Sequence, residues 1–338
     1  MGKKSTNRKG ICYLVGAGPG DPGLLTIRAK ECLEKADVVV YDYLCNAEIL
    51  NYAPSGSEKI YAGKKAADHA IPQDELNDLL VKLSLEGKTV VRLKGGEPYV
   101  FGRGGEEAQE LNKAEIPFEI VPGISSSIAG PAYAGIPVTH RDCCSQLTIF
   151  TGHEDPNKNE SVIDYSKIGK YDGTKVMLMG VGQLEKVTSE MISGGAAKDT
   201  PVALIRWATT GRQETLVGEI GNISQKVNKL GFKAPAVAVF GEVVNLRDQL
   251  NWFEGRSLYA KKMVVTRTRT QAGELSVRLR NMGADVDEMP TIRIEPPEKL
   301  KEFGQLVQDS HKYDWIVFTS PNGVEAFFDI FFKFDGVK

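Results

Sequence analysis

The sequence predicts an α/β protein assembled from successive strand, loop and helix units, and three observations carry that expectation. Short apolar runs recur at residues 11–15, 38–41, 89–93 and 118–121, each closed within two residues by glycine, proline or an acidic residue, which reads as buried strands. Helical spacing separates them, as in residues 24–36, where Leu24, Ile27 and Leu33 share one side. The run at 89–93 then enters Arg92-Leu-Lys-Gly-Gly-Glu-Pro-Tyr-Val-Phe-Gly-Arg-Gly-Gly105, whose glycines let backbone approach a ligand closely.

Taken in order, residues 11–15 form a strand, Gly16-Ala-Gly-Pro-Gly-Asp-Pro-Gly23 a loop and 24–36 a helix. A second strand at 38–41 places Asp42 at its carboxyl end, where open α/β sheets usually bind ligands. A helix at 74–86 precedes the strand that delivers the central loop. In that loop Pro98 fixes its own φ and holds Glu97 extended, while Glu106 and Glu107 open a helix whose N-terminus favours acidic side chains. Strand 118–121, a small-residue helix at 124–134 and an extended connector at 135–142 follow, so a lobe boundary is expected near 140. The second lobe should hold strands at 146–151, 175–179, 201–206 and 236–240, with helices at 183–193 and 219–229. A third segment reads as strand 263–266, helix 272–282 and strand 315–318.

Composition narrows the classes. The 338 residues allow two or three domains, and 41% hydrophobic with 25% charged residues describes a soluble globular chain. A net charge of -2 gives no footprint for nucleic acid, so an anionic substrate must be met by local cations. Five cysteines without CxxC spacing indicate neither a disulfide framework nor a zinc site and fit a reducing cytoplasm. No run reaches the length of a membrane span, and residues 1–10 read as a flexible tail.

Gly18-Pro-Gly-Asp-Pro-Gly23 satisfies GxGxxG, with Asp42 about twenty positions on, as in a dinucleotide fold. Pro19 and Pro22 remove backbone donors where a pyrophosphate would need them, so a ligand without phosphates suits this loop better.

The Gly16 to Thr26 loop, Val40-Tyr-Asp-Tyr-Leu44, Arg92 to Glu107, Val121-Pro-Gly-Ile-Ser125, Pro131 to Asp142 and Thr151-Gly-His153 together resemble the uroporphyrinogen-III C-methyltransferases of the tetrapyrrole methylase family. With Leu178-Met-Gly180 and Gly241-Glu-Val-Val244 the resemblance covers residues 11–254. It implies a two-lobed tetrapyrrole methylase fold, lobes at 11–140 and 141–255, acting as a homodimer. It also implies S-adenosylmethionine as methyl donor, no metal, and uroporphyrinogen III as the acceptor that is methylated twice to precorrin-2, on the route to sirohaem and cobalamin. Position by position, the cofactor contacts fall on Pro19, Gly95, Gly96, Glu97, Val100, Ser125, Ser126, Met179 and Ala208, and the acid/base pair on Asp42 and Lys64. Arg103 and Arg141 are candidates for substrate carboxylates and Glu106 for pyrrole N–H groups; the alternative for Arg103 and Glu106 is a structural ion pair at the helix start. His140 and His153 do not make a metal site.

Three positions depart from the family's usual residues: Glu97 stands for Asp, Tyr43 for a common Arg, and Ala208 for Gly. Ala208 would be strained if its backbone required a positive φ. Other readings of the same residues are a sister methylase acting on a later precorrin, a scaffold with a decayed cleft, and a nicotinamide dehydrogenase. Residues 256–338 resemble the start of uroporphyrinogen-III synthase, through Val264-Val-Thr-Arg-Thr-Arg269, Leu279-Arg-Asn-Met-Gly-Ala284 and the stretch from Tyr313 to Val324. That enzyme closes its cleft between two α/β lobes, so a partial lobe is expected to lack synthase activity. The aromatic residues near the chain end have no evident partner, and a cut reading frame is expected.

Overall fold

The computed structural model describes residues 9–63, 71–153, 162–266, 269–291, 295 and 298–334. They fall into two compact units, one comprising the chain to Met263 with Val277–Val286, the other Val264–Ser276 with the residues from Asp287 onward.

The first unit opens with β1 (Ile11–Gly16), α1 (Ile27–Leu33), β2 (Val38–Tyr41), β3 (Glu58–Tyr61), α2 (Gln73–Leu85), β4 (Thr89–Lys94), α3 (Gly104–Lys113), β5 (Phe118–Val121) and α4 (Ser126–Tyr133). Five strands join in the order β3-β2-β4-β1-β5, every pairing parallel. Alternation along each strand sends side chains to both faces. Val15, Val39, Val91 and Leu93 pack with Ala29, Cys32 and Leu33 of α1, while Leu14, Val38, Val40 and Val90 pack with Leu76, Leu80, Ala108 and Leu111 of α2 and α3. Burial on both faces is why these strands are near-continuous apolar runs, and parallel pairing brings all five carboxyl ends to one edge.

The second sheet uses β6 (Leu147–Thr151), α5 (Tyr165–Lys170), β7 (Thr174–Leu178), α6 (Leu184–Ser193), β8 (Pro201–Arg206), β9 (Glu214–Glu219), α7 (Ile223–Leu230) and β10 (Ala236–Phe240). Its order is β6-β7-β10-β8-β9; β6 and β7 are parallel, and β10 runs antiparallel to both β7 and β8. One face packs Phe150, Met177, Leu204 and Phe240 against Leu184, Val187 and Met191 of α6 and Ile223 and Val227 of α7. The other face packs Val176, Ile205 and Val239 with Ala134 and Ile136, just past α4. The two antiparallel steps leave β6, β7 and β8 pointing the same way, so their carboxyl ends share an edge. A short α8 (Arg247–Leu250) follows, and Arg247 pairs with Glu254, which also accepts from Gln213 and Thr215.

Beyond it lie β11 (Lys262–Val265), α9 (Arg269–Asn281) and β12 (Asp285–Glu288), the two strands forming a sheet of their own, then α10 (Leu300–Gln308) and α11 (Pro321–Phe334). The sequence expectation of a strand at 315–318 is not met. These residues form no ladder, and Trp315 and Val317 are 86% and 80% exposed. An apolar run without a neighbouring strand has nothing to receive its backbone hydrogen bonds. The expected helix at 219–229 is present as α7, which starts four residues later, and Glu219 closes strand β9, which the sequence reading did not include.

Candidate active site

The carboxyl ends of β1, β4 and β5 are drawn together by glycine. A Cβ on Gly16 would sit 2.5 Å from Gly123, and one on Gly123 would sit 2.3 Å from the Gly96 carbonyl. Gly18 and Gly96 exchange backbone bonds of 3.1 and 2.8 Å, so the loop holding Pro19 is bound to the loop holding Gly95 and Gly96. Gly96 has φ +70, and a Cβ there would meet only the Ser126 amide, at 3.9 Å. Open room therefore lies between Gly96 and the N-terminus of α4, where the Ser125 hydroxyl caps the helix.

Three backbone donors of the GxGxxG loop are already spent. Gly18 N–H donates to Gly96, Asp21 N–H to the Thr209 hydroxyl at 3.1 Å and Gly23 N–H to the Asp21 carboxylate at 2.8 Å. A phosphate would have to displace bonds within the protein, which agrees with the proline argument from sequence.

The second lobe brings Met179, after β7, and Ala208, after β8, to the same edge. Gly20 is packed against Ala208 to Thr210, so this edge adjoins the Pro19 loop. The Tyr133 hydroxyl donates to Asp21 at 2.9 Å and strengthens the junction. Backbone strain concentrates around this space: Phe101 (φ 53), Arg103 (φ 59), Met179 (φ 56), Trp207 (φ 46) and Thr209 (φ 70) are all left-handed without being glycine. Ala208 is not among them. The concern about its backbone is resolved, because the strain lies on its two neighbours, and the added methyl fits where α4 carries Gly130.

Val100 packs at the border of the cluster that includes Ala208 and Val237. Glu97 turns one carboxylate oxygen onto the Tyr99 N–H at 2.6 Å, so the longer side chain helps shape its own loop. Tyr43 meets Trp207 edge-on across the lobes. Arg103 and Glu106 form an exposed ion pair at 2.7 Å, the structural arrangement anticipated as their alternative role. Arg141 is exposed on the connector to the second lobe. Lys64 lies outside the described residues.

Asp42 stands at the end of β2 with its side chain 28% exposed, and one oxygen accepts from Arg92 Nη1 at 3.1 Å. Sequence reasoning did not single out Arg92, Lys94 or Glu107, which form a buried ionic cluster beside it. The available signal was the pair of cations two residues apart in an otherwise apolar strand. Among the described residues, no group of three or more His, Cys, Asp or Glu is placed to hold a metal ion, and no helix is long and apolar enough to cross a membrane.

Residues 12–224 match the family of tetrapyrrole (corrin/porphyrin) methylases, and residues 273–336 match uroporphyrinogen-III synthase HemD. An S-adenosyl-L-methionine-dependent uroporphyrinogen III methyltransferase of Methanosarcina barkeri is 52% identical over 71% of this chain and 94% of its own. A porphyrin biosynthesis protein HemD of Ruminiclostridium josui is 43% identical over 95% of this chain, which spans 63% of that relative's length. The crystal structure of a uroporphyrin-III C-methyl transferase from Thermus thermophilus, complexed with S-adenyl homocysteine, matches with a TM-score of 0.61 at 35% identity, covering 70% of this chain and all of that one. Fold and site thus define a methyltransferase, and the chain belongs to the tetrapyrrole methylase family.

Proposed function

We propose that this chain methylates uroporphyrinogen III at two ring carbons to give precorrin-2, with S-adenosylmethionine as donor. The observation that carries the reading is the common edge of the first sheet, where the partly exposed Asp42 carboxylate and the open room beside Gly96 both lie. The names of the Methanosarcina barkeri and Thermus thermophilus proteins support the substrate class.

The residues present fit the donor. It brings no phosphate, and the Gly18, Asp21 and Gly23 amides of the loop are engaged within the protein; it needs close backbone approach, which Gly96 provides. When bound, S-adenosylmethionine supplies a methyl group on a sulfonium for in-line transfer. In this reading Pro19, Gly95, Gly96, Glu97, Val100, Ser125, Ser126, Met179 and Ala208 hold it, the protein orients an electron-rich pyrrole carbon towards the methyl, and the two lobes exclude water. Asp42 takes the proton the macrocycle must lose, and Lys64 donates a proton or holds a substrate carboxylate. Arg141 and the Arg103–Glu106 pair meet the rim of the substrate, with arginine suited to carboxylates.

The same reading divides the chain into lobes at 11–140 and 141–255, places it in the cytoplasm as a homodimer, and assigns no synthase activity to residues 256–338. Anaerobic incubation with uroporphyrinogen III and S-adenosylmethionine tests it by product mass. Gain of two methyl groups is expected; cofactor binding without methylation would move the substrate to a later precorrin.

A further inference from the structure

Four charged side chains are joined in series from the core to the open edge of the first sheet. Arg92 and Lys94 lie two residues apart on β4, so both project to the face covered by α3, and they are 4% and 3% exposed. Glu107, in the first turn of α3, is fully buried. Its Oε1 accepts from Lys94 Nζ at 2.6 Å, from Arg92 Nε at 3.2 Å and from Gln73 Nε2 at 3.4 Å, whereas Oε2 has no hydrogen-bond partner among the described residues. Arg92 Nη1 then reaches Asp42 Oδ1 at 3.1 Å and the Leu93 carbonyl at 3.2 Å.

A carboxylate serving only to neutralise two buried cations would do so best with both oxygens engaged. Here the contacts converge on one oxygen, which fixes Nε of the planar guanidinium and thereby aims its Nη1. Two cations and two carboxylates balance, and of the four only Asp42 has substantial solvent access. Desolvation, with Arg92 alongside, already holds the Lys94 ammonium below its ordinary pKa, so loss of the central carboxylate would leave one buried cation in excess, which the double variant below removes.

We propose that Glu107 is a positioning residue for methyl transfer, acting through Arg92 to hold the Asp42 carboxylate in place at the sheet edge. The inference rests on the reading that Asp42 takes the proton. Glu107 touches neither ligand; its effect is on the orientation of the group that does.

The test uses the full chain and compares Glu107→Gln, Glu107→Asp, the charge-balanced double variant Lys94→Met/Glu107→Gln, and Asp42→Asn. Each is assayed for steady-state methyl transfer to uroporphyrinogen III and for the stoichiometry and affinity of S-adenosylhomocysteine binding by calorimetry. Glu107→Gln and the double variant should lose ~10- to 100-fold in kcat, the scale of a displaced reacting group, with full binding stoichiometry and unchanged KM. Glu107→Asp should recover part of that loss. Parental kcat in a folded Glu107→Gln or double variant overturns the inference, as does a loss that merely follows the fraction of chains able to bind. Should Asp42→Asn be inactive while the Glu107 variants are fully active, only the positioning role falls. Full activity of Asp42→Asn removes both it and the proton-acceptor reading.

Discussion

The ring of Tyr43 meets the ring of Trp207 edge-on, with centroids 6.1 Å apart and planes inclined at 66°. Tyr43 follows β2 in the first sheet and Trp207 follows β8 in the second, so the contact couples the two edges that frame the site. Arg212 lies over the same indole at 3.9 Å, and Trp207 keeps a left-handed backbone to hold this place. Trp207→Ala should therefore cost about 1–2 kcal/mol of unfolding free energy, the combined scale of an aromatic pair and an exposed cation–π contact. Urea unfolding measures it. An unchanged midpoint would mean that the aromatic contact contributes nothing to holding the lobes.

Gly130 and Ala208 make a complementary pair. A Cβ added to Gly130 would lie 3.3 Å from the Ala208 methyl and 3.7 Å from Val237, tighter than ordinary contact at the first. Gly130→Ala is expected to destabilise by about 1–3 kcal/mol through overpacking, against a small gain in helix propensity. Adding Ala208→Gly should restore much of the loss, and additivity in thermal unfolding of the double variant would contradict direct packing of the two residues.

The elements most legible in the sequence are the continuous apolar runs. β1, β2, β4 and β10 are apolar runs because helices cover each side, and their loops carry the glycines that mark the ligand edge. β3 and β9 escaped because exposed residues interrupt them: Glu58 and Lys59 are exposed in one, and Glu214, Val217 and Glu219 in the other, so neither reads as an apolar run in the way the edge strands β5 and β6 do. The converse error came at 315–318, where hydrophobicity without a pairing partner gave no strand. The site followed a similar rule. Gly96 and Asp42 announce themselves by position at strand ends, whereas an acidic residue in a first helical turn ordinarily faces water, and only packing reveals that Glu107 is buried while Glu106 beside it is not.

Cys45 provides a pH readout close to Asp42. Its thiol donates to the Leu93 carbonyl at 3.4 Å, and burial together with the Asp42 charge pushes its pKa from 9.0 up to about 12. A thiol whose folded pKa is raised stabilises the fold fully below its unfolded pKa, and that contribution is lost as pH rises towards the folded value. Stability referable to Cys45 should thus be intact below about pH 9 and decline from there to about pH 12. Comparison with Cys45→Ala by denaturant unfolding across this window isolates the contribution of the thiol. In the folded parent, alkylation at pH 8 should be slow, and Asp42→Asn should accelerate it by removing a neighbouring negative charge; equal rates would show that the carboxylate does not act on the thiol.

Met179 places strain where the cofactor is proposed to bind. It is half-exposed at the end of β7 with φ 56, a conformation that costs a non-glycine residue on the order of 1–2 kcal/mol. Met179→Gly removes that cost but adds about 1 kcal/mol or less of unfolded-chain entropy, so stability should hold or rise slightly. If the side chain is kept in this conformation in order to contact the cofactor, S-adenosylhomocysteine affinity should fall about tenfold, equivalent to ~1.4 kcal/mol. Met179→Ala separates the two effects, since it retains the strain and loses the same contact. Affinity equal to the parent in both variants would remove Met179 from the cofactor site and leave its backbone strain without a ligand to account for it.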